Sequence, residues 1–294
     1  MRSLGHHRRD YSRAGGDHPA VGASLSNLAA VVQKRGATAY RCGDYASASG
    51  ARNYAEALYR RALGVFDRDP HTPPPTTLTA LRNLGDCLVE NGKPAAAAPV
   101  LGRVVRLRER LESDATSLLP CVEDYAAMLH DAGNHAEAEK QYRRALQLSE
   151  RAFGDSLDAI PARENLAALL WDSSRVAAAE PEYREVLVRL ERLFDGAHPD
   201  AAATCHDLGE VLVELGRAEE GRPFLARALE GYRAIFNQDH PDAVAVAARL
   251  GGDLSEPLPR GHGHRPKSTH RKGRGSRRSK GPVPLEGVPE APRP

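Results

Sequence analysis

The residues of this 294-residue chain that could do chemistry are twelve histidines, four cysteines, a recurring set of carboxylates and amides, and a run of bases near its end. Nucleophilic catalysis needs a nucleophile beside a base, and a metal site needs His or Cys at ligand spacing. Cys42, Cys87, Cys121 and Cys205 are far apart and form no C-x-x-C pair. His130, His135 and His206 fall at different phases of different helical patterns, which suits packing or surface roles. Gly261-His262-Gly263-His264 offers two imidazoles, short of a full ligand set. No Gly-rich phosphate loop occurs. The expectation is a non-enzyme with no catalytic residue, no metal and no cofactor. Three of the cysteines sit inside helical patterns, where a free Cys acts as a small buried hydrophobe, so a reducing compartment is expected.

What must position the carboxylates and amides is helical. Ala and Leu, the best helix formers, supply most of the apolar residues. Aromatics are only 5% and there are two isoleucines, Ile160 and Ile235, which argues against a sheet-rich fold. No apolar run approaches the ~20 residues of a bilayer span. Met1 to Asp17 carries Arg8, Arg9 and Arg13 without the apolar stretch of a secretory leader.

A repeat organises this material. Asn/Asp-Leu/Tyr-Gly/Ala recurs as Asn27-Leu28-Ala29, Asn83-Leu84-Gly85, Asp124-Tyr125-Ala126, Asn165-Leu166-Ala167 and Asp207-Leu208-Gly209, at steps of 41, 41 and 42 from Asn83 onward. Nine residues after each comes a small residue or breaker: Gly36, Gly92, Gly133, Ser174, Gly216. A second periodic segment follows, with small-large-small sets such as Ala138/Tyr142/Ala145 and Gly221/Leu225/Ala228 on one helical face. Each unit is thus two amphipathic helices, and stacking five of them closes a core that one pair cannot. Three units open with His-Pro (His18-Pro19, His198-Pro199, His240-Pro241), and Pro suits a first helical turn. The step from Asn27 to Asn83 is 56, an excess of 14; its small, polar residues between Gly36 and Gly50 form either an inserted loop near 37–50, the favoured reading, or an extension of the flanking helices. After His240 a sixth first helix runs to about Leu250 as a cap.

The pattern H-P-D…N-L-A…G-x-x-x-E-A-x-x-x-Y-R-R-A-L at a 42-residue period resembles the long tetratricopeptide repeats of kinesin light chain-like and nephrocystin-like proteins. The resemblance covers residues 18 to 251. It implies an all-α, right-handed superhelical solenoid of about five antiparallel helix pairs plus a capping helix, in a repeat array over 18–252. It further implies a scaffold that holds a peptide or partner protein in a groove lined by the first helices. Seventeen residues precede the first repeat with no heptad pattern, so a motor subunit is not expected. The carboxylate clamp some such domains use for chaperone tails is also absent, since Ser26 and Ala30 stand at its positions.

Carried onto this sequence, the groove row is Asn27, Asn83, Asp124, Asn165 and Asp207, whose side chains can bond a peptide backbone. Seven residues on, nearly the same face shows Lys34, Glu90, Asp131, Asp172 and Glu214, with Asp86 and Glu210 beside them. An acid at a helix C-terminus opposes the macrodipole. Four repeated acids there call for an offset, either pairing with Arg on a neighbouring repeat or a basic ligand, unless they are an ordinary solvated face.

From Ser255 the periodicity ends. Residues 253–294 read as a disordered basic tail carrying Arg265, Lys267, Arg271, Lys272, Arg274, Arg277, Arg278 and Lys280, and residues 1–17 as a short basic N-terminus. The tail suits a polyanion, a nuclear address or docking onto the chain's own acidic groove. It has no aromatics to stack on bases, so any nucleic-acid contact would be through phosphates. The net +2 divides into +3 over residues 1–13, −8 over 14–255 and +7 over 256–294. The reading is a cytoplasmic, non-catalytic scaffold for a protein or peptide partner. The alternative is a nuclear or nucleic-acid-associated protein that binds through the tail.

Overall fold

The computed structural model describes residues 18–69, 71–111, 114–194, 198–236, 240–252 and 254. Among them every regular element is helical: α1 (Pro19–Arg41), α2 (Tyr45–Arg68), α3 (Pro74–Glu90), α4 (Pro94–Arg110), α5 (Ala115–Asp131), α6 (His135–Phe153), α7 (Ile160–Asp172), α8 (Val176–Leu193), α9 (Pro199–Glu214), α10 (Ala218–Ile235) and α11 (Pro241–Gly251). A 3-10 turn, Leu157–Ala159, leads into α7. The chain divides at Asp114 into two compact units. The first holds α1 to α4 and the second α5 to α11. In each, every helix packs on its neighbours in sequence, giving a stack of antiparallel pairs. Odd-numbered helices are the first helix of each repeat.

Helix starts follow from local chemistry. Pro19, Pro199 and Pro241 occupy the first helical position, where a missing N–H costs nothing. The histidine before each is itself the cap. Nδ1 of His18, His198 and His240 accepts the amide of Ala20, Asp200 and Asp242 at 3.1, 3.2 and 3.3 Å. The rings of His198 and His240 stack on Phe194 and Phe236 at the end of the preceding helix. The sequence reading credited only the proline; the cap and the aromatic stack join consecutive repeats.

The turn inside each pair has a residue with positive φ: Gly43, Gly92, Gly133 and Gly216 between 65° and 81°, and Ser174 at 63°. Past the turn the small-large-small face is buried as expected, with Ala138, Ala145, Ala55, Ala62, Leu225 and Ala228 fully covered. The closest approach to backbone is at α9–α10, where a Cβ on Gly221 would lie 2.6 Å from the carbonyl oxygen of Gly209. Cys87, Cys121 and Cys205 are buried in this packing and Cys42 is exposed. Burial pushes the Cys87 thiol up to about 12 and the Cys205 thiol to about 11.

One expectation is overturned. Residues 37–50 are not an inserted loop, and Gly36 is not a turn: α1 continues through it to Arg41, the reversal is at Gly43, and α2 begins at Tyr45. Asp44 caps α2 by accepting the Ser47 amide at 3.0 Å. The physical reason is the size of the insertion. Fourteen residues are two sevens, and seven residues are nearly two helical turns. Each helix therefore gains two turns and keeps its inward face, with Gly36 closing on Ala51 and Ala48.

Residues 1–17 and 253–294, apart from Leu254, lie outside the described residues, and with them the basic tail from Arg265 to Lys280. Among the described residues no helix is long and apolar enough to cross a membrane.

Candidate partner-binding surface

The groove row expected across all five repeats is separated by the structure into buried and exposed members. Asn83 is buried at 2% exposure and Glu210 at 4%, so neither faces a ligand. Glu210 is spent on Arg249 of α11, 3.0 Å away, which ties the last first helix to the cap. Asn27, Asp86, Asn165, Asp207 and Glu214 are half-buried. Lys34, Glu90, Asp124, Asp131 and Asp172 are exposed.

Three of the four acids at the helix C-termini find an offset inside the stack, from donors other than Arg. Glu90 of α3 accepts from Gln33 of α1 at 2.9 Å, and Gln33 in turn accepts from the Tyr59 hydroxyl at 3.1 Å. Asp172 of α7 lies 3.2 Å from Nε2 of His130 on α5. Glu214 of α9 accepts from the indole N–H of Trp171 on α7. The donor is in each case one position before the acid's counterpart in the preceding repeat. A parallel ladder runs along the turns: Lys93 to Glu56 at 2.8 Å, Arg217 to Glu180 at 2.8 Å, and Arg175 to Glu139. At Glu90, Asp172 and Glu214 the charge-assisted bond offsets the unfavourable helix dipole. Gln33, His130 and Trp171 differ chemically, so nothing in their types marks a shared role; only alignment to the repeat does.

Arg163 was also passed over. It sits where the other first helices hold Leu25, Leu81, Val122 and Cys205, and is accommodated by Glu150 at 2.6 Å and Glu182 at 2.5 Å.

What remains open to a partner differs between the units. On the face of α5, α7 and α9 that carries Asp124, Asn165 and Asp207, the adjoining positions hold Glu123, Glu164, His206, Asp131, Asp172 and Glu214, with Ala127 and Ala168 between them, His206 and Ala168 being buried. These positions span about 100° of each helix. They carry many carboxylates and no Lys or Arg. The matching face of α1 and α3 is mixed, with Lys34 and Arg82 beside Asp86 and Glu90. Among the described residues, the second unit alone has such an acidic face.

Glu123 is its most perturbed member. Burial, reinforced by neighbouring Asp124, pushes its carboxyl up to about 7. A cation placed beside it would favour the charged form and expel a proton. Among the described residues no cluster of three His, Cys, Asp or Glu is arranged to hold a metal.

This architecture is that of tetratricopeptide repeats, and the sequence agrees. Residues 118–192 and 158–234 match the tetratricopeptide repeat family, so the stretch from 118 to 234 consists of such repeats, and the pairs outside it share their landmarks. Similar solved structures include kinesin light chain TPR-like repeats from Podosopora anserina, with a TM-score of 0.58 at 17% identity over 74% of this chain and 98% of that one. BtubC (BKLC) from P. vanneervenii gives 0.53 at 20% identity, over 76% and 94%. At these identities the likeness is one of fold. No curated protein matches the sequence.

Proposed function

We propose that the chain is a non-catalytic cytoplasmic scaffold whose second unit binds a basic protein segment on the acidic face of α5, α7 and α9. The observation that carries this is the charge of that face. Carboxylates from three successive repeats line it and those positions hold no Lys or Arg. Asp124, Asp131 and Asp172, all exposed, form its open edge. Half-buried Asn165 supplies both a donor and an acceptor for a peptide backbone.

The chain's own tail has the matching chemistry. Residues 256–294 carry +7 against −8 for residues 14–255. A linker of ~15 residues spans roughly 20–25 Å, which puts the basic run within reach of the last repeats at an effective concentration on the order of millimolar. The tail then acts as a tethered competitor that an external basic segment must displace.

The test is fluorescence anisotropy with a labelled peptide of residues 260–280. It is titrated into the full chain and into a chain ending at residue 254, at two salt concentrations. The truncated chain is expected to bind at least tenfold more tightly, with affinity falling as salt rises. Equal affinity for both chains removes the competitor role, and no binding to either removes the basic-ligand reading.

A further inference from the structure

A pocket of about 280 Å³ opens on the last complete helix pair, α9–α10, over Ala202, Gly231 and Ala234. The repeat shows why it is there. Ala202 stands five residues before Asp207, where the three preceding pairs hold Leu78, Leu119 and Ile160. Gly231 stands ten residues after Gly221, where they hold Leu107, Leu148 and Arg189. Ala234 stands thirteen after it, where they hold Arg110, Arg151 and Arg192. One layer of this pair thus has three small side chains where its counterparts have three large ones. Position 231 cannot refill the layer, because a Cβ there would lie 2.8 Å from that of Ala202.

The rim carries one unmatched charge. Arg227 is paired with Glu191 of α8. His198 is fixed by accepting the Asp200 amide at Nδ1 and by stacking on Phe194. Glu230 is exposed and has no hydrogen bond or ion pair with another described residue. Its counterparts are Arg106, Gln147 and Val188, so an acid there is as particular to this pair as the alanine one turn later. On a helix the side chain at i+4 lies back over i. An arginine at 234, like its counterparts, would cover Gly231 and reach Glu230. The pocket therefore fits an arginine side chain from elsewhere. It has a floor of small residues for the stem and a carboxylate for the guanidinium, in the last turn of α10, where the macrodipole favours a cation.

We propose that Arg260 of the chain's own tail fills this pocket, its stem over Ala202, Gly231 and Ala234 and its guanidinium on Glu230. Arg260 is the first base beyond α11. The length of the intervening chain matches. Leu254, at 3% exposure, is buried at the end of α11 as Leu212, forty-two residues earlier, is in α9. Ala202 lies ten residues before Leu212, ~15 Å along the axis, and α10 packs one helix spacing of ~8–10 Å from α11, so the pocket is ~18 Å from Leu254. Six residues lead from Leu254 to Arg260, and Pro257 and Pro259 among them favour an extended path of ~19 Å. The pocket shares no residue with the acidic face of α5, α7 and α9, and gives the tethered tail an anchor of its own.

Tryptic cleavage of the full chain tests this, each cut being followed by mass spectrometry and scaled to the same cut in a free peptide of residues 255–280. A held arginine is cut only when it opens, so the cut after Arg260 is expected at least ~fivefold slower than the cut after Arg274. Glu230→Gln and Ala234→Arg, both at exposed positions, are expected to bring the two rates together with unchanged circular dichroism, the second by supplying the arginine from within the helix. Glu219→Gln, an exposed acid elsewhere on α10, leaves the protection in place, and so does Asp124→Asn/Asp131→Asn/Asp172→Asn on the acidic face. Equal scaled rates after Arg260 and Arg274 in the parent overturn the proposal. So does protection that survives both pocket variants, or that only the triple variant removes.

Discussion

An acid in the last turn of a helix costs ~0.3–1 kcal/mol when it meets only solvent. In this chain Glu90, Asp172 and Glu214 each sit at such an end and each has a donor from the repeat before it, in Gln33, His130 and Trp171. The carboxylates therefore fasten one repeat to the next, and the acidic face is partly a by-product of that fastening. Glu123 is different, because burial beside Asp124 holds its carboxyl near 7. The sign of the consequence follows from linkage. A folded-state value raised above the unfolded one favours the folded state while the group is protonated, and that advantage is lost as pH rises through about 7. Glu123→Gln is expected to change Tm little at pH 4. At pH 8 it should raise stability by an amount on the order of 1 kcal/mol, ~2–4 °C in Tm. Thermal melts at the two pH values check this, and an equal shift at both would show that Glu123 ionises normally.

At the scale of elements, closeness of packing is set by the smallest residues. Gly221 lets α10 approach α9 until only a hydrogen fits against the Gly209 carbonyl. The obstacle is backbone and cannot rotate away, so Gly221→Ala should cost about 1–3 kcal/mol. Gly64, inside α2 with nothing within 4 Å of a Cβ, should behave oppositely, gaining about 0.5–1 kcal/mol on Gly64→Ala. Urea denaturation of the pair reads both, and losses of equal size would mean that backbone freedom rather than close approach governs Gly221. The same elements show what could be read from sequence. The helix pairs and the buried small-residue faces followed from a 41–42-residue period and i, i+4, i+7 spacing, because both depend on residue size and helical pitch alone. Residues 37–50 were misread because small polar residues fit a loop and a helix surface equally well. Only the arithmetic of two sevens separated the alternatives. The rungs escaped because Gln33, His130 and Trp171 share a position and not a chemistry, and the burial of Asn83 and Glu210 depends on neighbours far along the chain.

At the scale of the whole molecule, charge is segregated by segment: −8 over residues 14–255 against +3 at one end and +7 at the other. Within the described repeats the segregation goes further, since only in the second unit do the groove positions of the first helices carry carboxylates without Lys or Arg among them. The central claim is that this face, and not the repeats in general, holds a basic segment. The most direct measurement is the affinity of the 260–280 peptide for the chain ending at residue 254, compared with Asp124→Asn/Asp131→Asn/Asp172→Asn in the same chain. Asp172→Asn keeps a side chain able to accept from His130, so the fold should be retained, and circular dichroism would verify it. The account predicts at least a tenfold loss of affinity and a flatter salt dependence in the triple variant. Unchanged affinity, with the parent's salt dependence intact, would contradict it.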